Sequence, residues 1–352
     1  MFTLRRVMVM ALVVLFAVGG LVFAGGQQEE AKEEGFIIGV SNGWVGSEWR
    51  NQMVDDVVSA AEQYKESGLV KEVIVQSTNV DVQGQITQIR NLMNSGADLI
   101  LINPNAQSPF NPVIREATER GVLVIATDQE VTSQDALNVV IDQREWARTS
   151  ARWLAEELNN DGRVVTINGV SGHPANEARV NGYHDVFDAQ DGIEILNETN
   201  ADWDQALGQQ TANSLLATYS DLDGIWVQDG MAEGTLSALL SAGREDEVLQ
   251  NGEARVGFMK QWKEAGINSI GVPNPPGCMA SAMKVGLLIL QGKELKEDVL
   301  GGAYENSLYL PIPQVVTNDN LDEMLDKYSD KPNHYAIDDI ITEEYALENW
   351  FK

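Results

Sequence analysis

Planar hydrogen-bonding side chains and tryptophans recur in this chain directly after short apolar runs. They are Asn42, Trp44 and Trp49; Asn103; Asp128 and Gln129; Asp142; His173, Asn176 and Arg179; Trp203; Gln228 and Asp229; and Asn274. Carboxylates, amides and guanidinium groups can bond two adjacent hydroxyls in forked fashion, while an indole face covers a patch of C–H. The mixture suits a neutral guest rich in vicinal hydroxyls, such as a sugar or polyol. A phosphate would want clustered cations or a glycine-rich helix start, and neither is evident.

Reactive constellations are missing. The GxxxxGK[ST], GxSxG and GxGxxG patterns do not occur, and His173, His184 and His334 lie far apart with no metal-ligand spacing around them. No metal or cofactor is expected. Several of the polar residues also have a plain structural reading. Asn79, Asp81, Asn105 and Asp204 fit as caps of the helices that follow them, and Asn103-Pro104 fits equally as turn chemistry. Arg179 could form a surface ion pair with Glu177. Cys278, the single cysteine, reads as a small buried filler, and His184 and His334 as surface residues. Tryptophan at three polar loop entries, Trp44, Trp49 and Trp203, favours stacking on a guest over core filling.

The elements that must hold these residues alternate along the chain. β-rich apolar runs at 36–40, 72–76, 98–103, 122–127 and 137–141 form one series, and runs at 163–168, 193–198, 224–228 and 267–272 form a second. Amphipathic stretches lie between them, at 51–66, 82–94, 144–158, 205–218 and 280–290. This is the pattern of parallel sheets covered by helices, an α/β class with two doubly wound units. Such sheets bind ligands at the carboxyl ends of their strands, where the polar and aromatic residues cluster.

The 352 residues exceed what one core usually holds, and a hydrophobic fraction of 43% is enough for two. With 53 acidic against 24 basic side chains, for a net charge of -29, nucleic acid and anionic membrane surfaces are poor partners. A lone thiol excludes an internal disulfide, so stability must come from packing.

The first residues read as an export signal. Arg5 and Arg6 precede an almost wholly apolar run over 7–23, and Val22-Phe23-Ala24 presents small side chains at the two positions a signal peptidase reads, predicting cleavage after Ala24. The run is at the lower limit for a membrane span and lacks a positive stop-transfer flank. No cysteine stands at the cleavage point to take a lipid. Residues 25–35, GGQQEEAKEEG, read as a solvated acidic spacer.

These residues resemble the type I periplasmic substrate-binding proteins of sugar ABC transporters, and are similar to the ribose- and galactose/glucose-binding proteins. The likeness runs from Phe36 to about Gly302. The segment 172–179, GHPANEAR, is close to the GHPxxEAR segment of the galactose/glucose-binding protein, whose histidine and arginine contact sugar. That implies the same for His173 and Arg179. Residues 101–104 resemble the family's LINP strand end, 124–128 its VITxD segment, 201–204 its stacking-tryptophan loop and 228–232 its ND-x-MA stretch. By that match Asp128, Trp203 and Gln228 line the cleft, with Trp49 joining from the first loop. Departures fall at Gln129, where ribose binders carry arginine, and at Ala175, where the galactose/glucose protein has aspartate. No GFD or GVD turn is visible near Gly252-Glu253. A related pentose, hexose, deoxy sugar or polyol is therefore expected, rather than glucose, galactose or ribose.

The resemblance implies two lobes joined by a three-segment hinge, with crossings near 141–142, 272–273 and 303–304. The first lobe is then 36–141 plus 274–303, and the second 142–273 plus 304–352. It also implies a monomeric periplasmic protein, not an enzyme, that closes on its ligand and hands it to a membrane permease. Two rivals share some of these residues: a sensory binding protein serving a chemoreceptor or sensor kinase, and an exported carbohydrate-active enzyme using Asp128 and Asp142 as a carboxylate pair. A transcriptional regulator is disfavoured, because an export signal stands where a helix-turn-helix would be required.

Overall fold

The computed structural model describes residues 35–352, so the expected signal at 1–24 and the spacer up to residue 34 lie outside the described residues. From Phe36 the chain runs β1 (Phe36–Asn42), α1 (Glu48–Glu66), β2 (Val70–Ser77), α2 (Val82–Asn94), β3 (Leu99–Asn103), α3 (Asn111–Glu119), β4 (Leu123–Thr127) and β5 (Leu137–Ile141). A second series follows: α4 (Gln143–Glu157), β6 (Asp161–Asn168), α5 (Pro174–Phe187), β7 (Gly192–Asn200), α6 (Gln205–Thr218), β8 (Gly224–Val227), α7 (Ala232–Ala242), β9 (Leu249–Glu253), α8 (Val256–Ala265) and β10 (Ser269–Val272). The chain ends with α9 (Cys278–Leu290), β11 (Ser307–Leu310), β12 (Val316–Thr317), α10 (Leu321–Lys327) and α11 (Glu343–Trp350).

Two six-stranded sheets result, ordered β2-β1-β3-β4-β5-β11 and β7-β6-β8-β9-β10-β12. All pairings are parallel except that of β12 with β10. Strand order reverses at β1 in one sheet and at β6 in the other, so each sheet opens a crevice at the carboxyl ends of these strands. Asn42 and Asn103 are register partners at that edge of the first sheet, and Asn168 ends β6 in the second.

Strand β3 shows why the sheets are buried on both faces. Leu99 and Leu101 pack with Met53, Val57 and Met283 of α1 and α9, while Ile100 and Ile102 pack with Ile89, Leu92 and Val113 of α2 and α3. Alternate side chains thus meet helices on opposite sides, each burial stabilising the fold by roughly 1.5–3 kcal/mol. In the second sheet Val165, Ile167, Ile225 and Val227 face α6, α7 and α8. Trp226 faces α4, its Nε1 donating to Ser150 Oγ at 2.9 Å.

The apolar-run reading passed over β9, Leu-Gln-Asn-Gly-Glu, because its composition is polar. Two of its amide side chains are bonded internally: Asn251 accepts from Val227 N at 2.9 Å and donates to Val227 O at 3.0 Å, extending the ladder to β8 with a side-chain amide. Gln250 donates to Ala232 O at 2.7 Å. A buried amide bonded through both its oxygen and its nitrogen, as Asn251 is, costs little.

The tail departs from expectation. The resemblance puts residues 304–352 in the second half, with a crossing at 303–304, yet β11 pairs in parallel with β5 of the first sheet. Leu308 and Leu310 are buried there while Tyr309 points outward, and Asn138 Nδ2 donates to Asn306 Oδ1 at 3.1 Å. The crossing comes later, in the Pro311-Ile312-Pro313 stretch, where two residues without N–H groups cannot extend a ladder. After β12 and α10, which joins the second core through Leu321 and Met324, the chain returns. Ala336 exchanges two 3.1 Å hydrogen bonds with the Gln52 side chain of α1, while Ile337 N donates to Ala254 O at 2.8 Å. Asp338 Oδ1 accepts from Gly277 N at 2.8 Å. Helix α11 then lies on the first half, with Lys296 N donating to Trp350 O at 2.8 Å. The tail therefore ties both halves together instead of belonging to the second.

Candidate functional site

A cavity of about 640 Å³ lies between the carboxyl ends of the two sheets. The first half supplies Trp44 from the loop after β1, Trp49 and Arg50 from the first turn of α1, and Asp128 after β4. The second half supplies His173, Ala175 and Arg179 at the start of α5, Asp202 and Trp203 after β7, Asp229 after β8 and Arg255 after β9. Asn274, on the crossing after β10, closes the ring.

Asp128 sits at the centre. It is 9% exposed and accepts from Asn103 Nδ2 at 3.3 Å. Burial pushes its carboxyl above the ordinary range, and the Arg50 and Arg179 guanidinium groups pull it back. Arg50 donates to Asn42 Oδ1 at 3.1 Å and lies over the Trp44 ring at 5.4 Å. Arg179, 1% exposed, donates through Nε to Gln143 Oε1 at 2.7 Å and through Nη1 to Asp229 Oδ2 at 2.5 Å. Its plane covers the Trp146 ring at 4.4 Å. It is a buried paired cation, and the competing account, a surface ion pair with Glu177, does not hold. Glu177 instead accepts from Gly172 N at 2.9 Å.

The Trp203 indole is held from several sides. Its Nε1 donates to Gln228 Oε1 at 3.0 Å, and the His173 ring meets it edge-on at 4.7 Å. A Cβ on Gly169 would collide with the indole, so glycine is required beneath it. Gln228 in turn donates to Asn176 Oδ1 at 3.0 Å, and that oxygen also accepts from Gly169 N at 2.8 Å. His173 has its pKa lowered to about 3 by burial first and then by Arg50 and Arg179, so its imidazole is neutral; its Nδ1 has no hydrogen-bond partner.

Eight of the polar and aromatic residues that follow apolar runs in the sequence meet at this cavity: Trp44, Trp49, Asp128, His173, Arg179, Trp203, Asp229 and Asn274. Asn103, Asn176 and Gln228 stand behind it as props. Gln129 and Asp142 are elsewhere, lining an adjoining chamber of about 370 Å³ that Asp128 also touches. The Asp142 carboxylate accepts from Glu145 N at 2.9 Å as the cap of α4, which takes it out of any carboxylate pair with Asp128 across the main cavity. Asp81 and Asp204 cap α2 and α6. Asn79 and Asn105 do not cap helices: Asn79 accepts from Val45 N at 2.8 Å and Asn105 donates to Val80 O at 3.0 Å, bracing neighbouring loops.

Arg50, Arg255 and Asp202 were missed, and Asp229 was noted only as a rim residue. Arg50 follows Trp49 on an amphipathic helix, where an arginine ordinarily faces water, and Arg255 follows the unrecognised strand β9. One backbone signal does mark the site. Among the described residues, Asp128, Asp202, Trp203 and Asp229 all have positive φ, at 65°, 53°, 57° and 44°. Non-glycine residues in that region carry strain that clusters where function over-determines the backbone.

Chemically, the walls offer carboxylate acceptors, guanidinium donors and indole faces in one place. Glu48, Asp128, Asp202, Asp204 and Asp229 face Arg50, Arg179 and Arg255, an acidic excess that opposes an anionic guest. Among the described residues no group of three His, Cys, Asp or Glu side chains could hold a metal ion.

Two parallel-sheet lobes with a polar cavity at their strand ends are the architecture of a solute receptor, and the family can be stated. The model of the periplasmic binding protein domain matches residues 38–294, and the chain belongs to that family. It is similar to the ribose import binding protein of Bacillus subtilis, 27% identical over 190 residues that make up 53% of this chain and 61% of that protein. That match therefore spans less than two thirds of the relative's length. The xylitol-binding protein of Mycolicibacterium smegmatis is 24% identical over 70% of this chain and 72% of its own. The fold is shared with an ABC transporter solute binding protein from Thermobispora bispora, at a TM-score of 0.76 and 23% identity, covering 89% of this chain and 94% of that one.

Proposed function

We propose that this chain is an extracytoplasmic solute-binding protein that captures a monosaccharide or polyol by closing its two lobes and delivers it, unaltered, to the permease of an ABC importer. The observation that carries this reading is the meeting of Asp128, Arg50, Arg179 and the Trp203 face around one cavity built from both halves. Carboxylate and guanidinium groups bond neighbouring hydroxyls, and the indole takes the C–H side. A guest touching both halves binds the closed form better than the open one, and that difference shifts the population toward closure. Relatives named for ribose and xylitol lend support to a hydroxyl-rich ligand.

Binding without reaction fits the groups present. His173, with its pKa near 3, is a weak base, and the thiol of Cys278 is buried with its pKa pushed up. Export through removal of 1–24, with a free mature protein in the periplasm, follows from the signal and from the lack of cysteine at the cleavage point. The mass of the exported protein tests it, cleavage after Ala24 being expected.

A thermal-shift scan of the mature protein over monosaccharides and polyols tests the function. A true ligand raises stability by RT ln(1 + [L]/Kd), about 2.7 kcal/mol at a hundredfold excess over Kd. Stabilisation by none of them, with stabilisation by amino acids or phosphate compounds instead, would overturn the reading.

A further inference from the structure

Beside the main cavity lies a second chamber of about 180 Å³, lined by Glu48, Glu233, Glu253, Arg255, Asn333 and His334 among others. Glu48, Gln205, Asp229, Gly230 and Arg255 line both spaces, so the two adjoin along that wall. Gly230 makes the junction possible, since a Cβ there would stand 2.6 Å from Arg255 Nη1. Four carboxylates face a single arginine in the chamber, an acidic excess. Its carboxylates are Glu48, Asp229, Glu233 and Glu253; its one arginine is already bonded to Glu253 Oε2. Asp229 spends Oδ2 on Arg179.

Two oxygens remain unanswered. Glu253 is 0% exposed and its Oε1 has no hydrogen-bond partner; Asp229 Oδ1 has none either. Burial raises the pKa of Glu253, and of Glu233 across the chamber, with Arg255 only partly offsetting it. Buried acceptors in a native site ordinarily have partners, and an unsatisfied carboxylate oxygen is costly. A hydroxyl brings one donor. An ammonium brings three, together with the charge these carboxylates lack.

We infer that the guest carries an amino group, its hydroxyl-bearing ring lying among Asp128, Arg179 and Trp203 and its ammonium entering the side chamber between Glu48, Glu233 and Glu253. The inference rests on the sugar or polyol reading above and narrows it to amino sugars or amino polyols. The chamber's size suits a short branch, and its acidity rejects a carboxylate or phosphate at the same position.

Calorimetric titration of the mature protein at pH 7 with pentoses, hexoses and inositols, each paired with its monoamino counterpart, tests it. At least one amine should bind about tenfold or more tightly than its neutral partner, as a charge-assisted hydrogen bond in a buried site implies. That ratio should fall about tenfold in Glu233→Gln and by a smaller factor, about twofold to threefold, in Glu48→Gln, whose carboxylate is exposed and partly screened; folding is not at risk in the second variant. Neutral members binding as well as or better than their amines, or a ratio unmoved in both variants, overturns the inference and leaves the sugar-binding function standing. Binding by neither member of any pair overturns both.

Discussion

Replacing Arg179 by methionine would strand Asp229 in a low-dielectric wall. Asp229 Oδ1 already lacks a partner, and its Oδ2 depends on the 2.5 Å contact with Arg179 Nη1. With side-chain exposures of 1% and 13%, the pair is far enough from water that removing one member should cost about 3–5 kcal/mol. Loss of the bond to Gln143 and of the stacking on Trp146 is included in that range. Asp229→Asn should cost less, about 1–2 kcal/mol, because Arg179 keeps Gln143 and the nearby Asp128. The double variant Arg179→Met/Asp229→Asn removes both charges together and should be about 2 kcal/mol more stable than the sum of the single losses predicts. Urea unfolding of the four proteins, followed by far-UV circular dichroism, measures the cycle. Additive losses to within about 0.5 kcal/mol, or a loss under about 1 kcal/mol for Arg179→Met, would refute the idea that this is a buried, mutually dependent pair.

Trp203→Ala should weaken ligand binding about tenfold or more while leaving the fold intact, and Gly169→Ala should do the same by pushing the indole from its seat; calorimetry reads both. Unchanged affinity in Gly169→Ala would show that the indole position does not matter. The Asp338 carboxyl is raised to about 8 by burial and then by Asp56, so the folded state holds its proton more tightly than the unfolded chain does. Stability from this group is present at low pH and lost as pH climbs from about 4 toward 8, and Asp338→Asn should remove that fall in unfolding free energy. For His173 the sign is opposite: with its folded pKa near 3, the unfolded chain takes up the proton first, and stability is lost as pH drops below about 6.5. His173→Asn should flatten that acid limb.

The alternation of β-rich runs and amphipathic stretches was enough to place α2, β5 and α6 at their observed bounds, because periodicity is a local property that burial on one or two faces imprints directly. The tendency of polar and aromatic groups to follow strands was equally local, and it located the edge where the cavity opens. The addition of β11 to the first sheet could not be seen that way. Ser-Leu-Tyr-Leu is too short to signal a strand alone, and it becomes one only because β5 presents an open edge beside it.

Tertiary structure also decided what each polar residue does. Asp128 and Asp142 look alike in the sequence, each following an apolar run. One stands with positive φ between two arginines, and the other caps a helix. Arg179 pairs with Asp229, fifty positions away, while its sequence neighbour Glu177 turns to a loop amide. Arg50 and Arg255 gave no local sign, since an arginine on an amphipathic helix or after a polar strand belongs in water until another part of the chain buries it. Sequence determines spacing along each element. Only the packing of the two halves around one cavity determines which carboxylates meet which cations, because those distances are set by contacts between residues far apart in the chain.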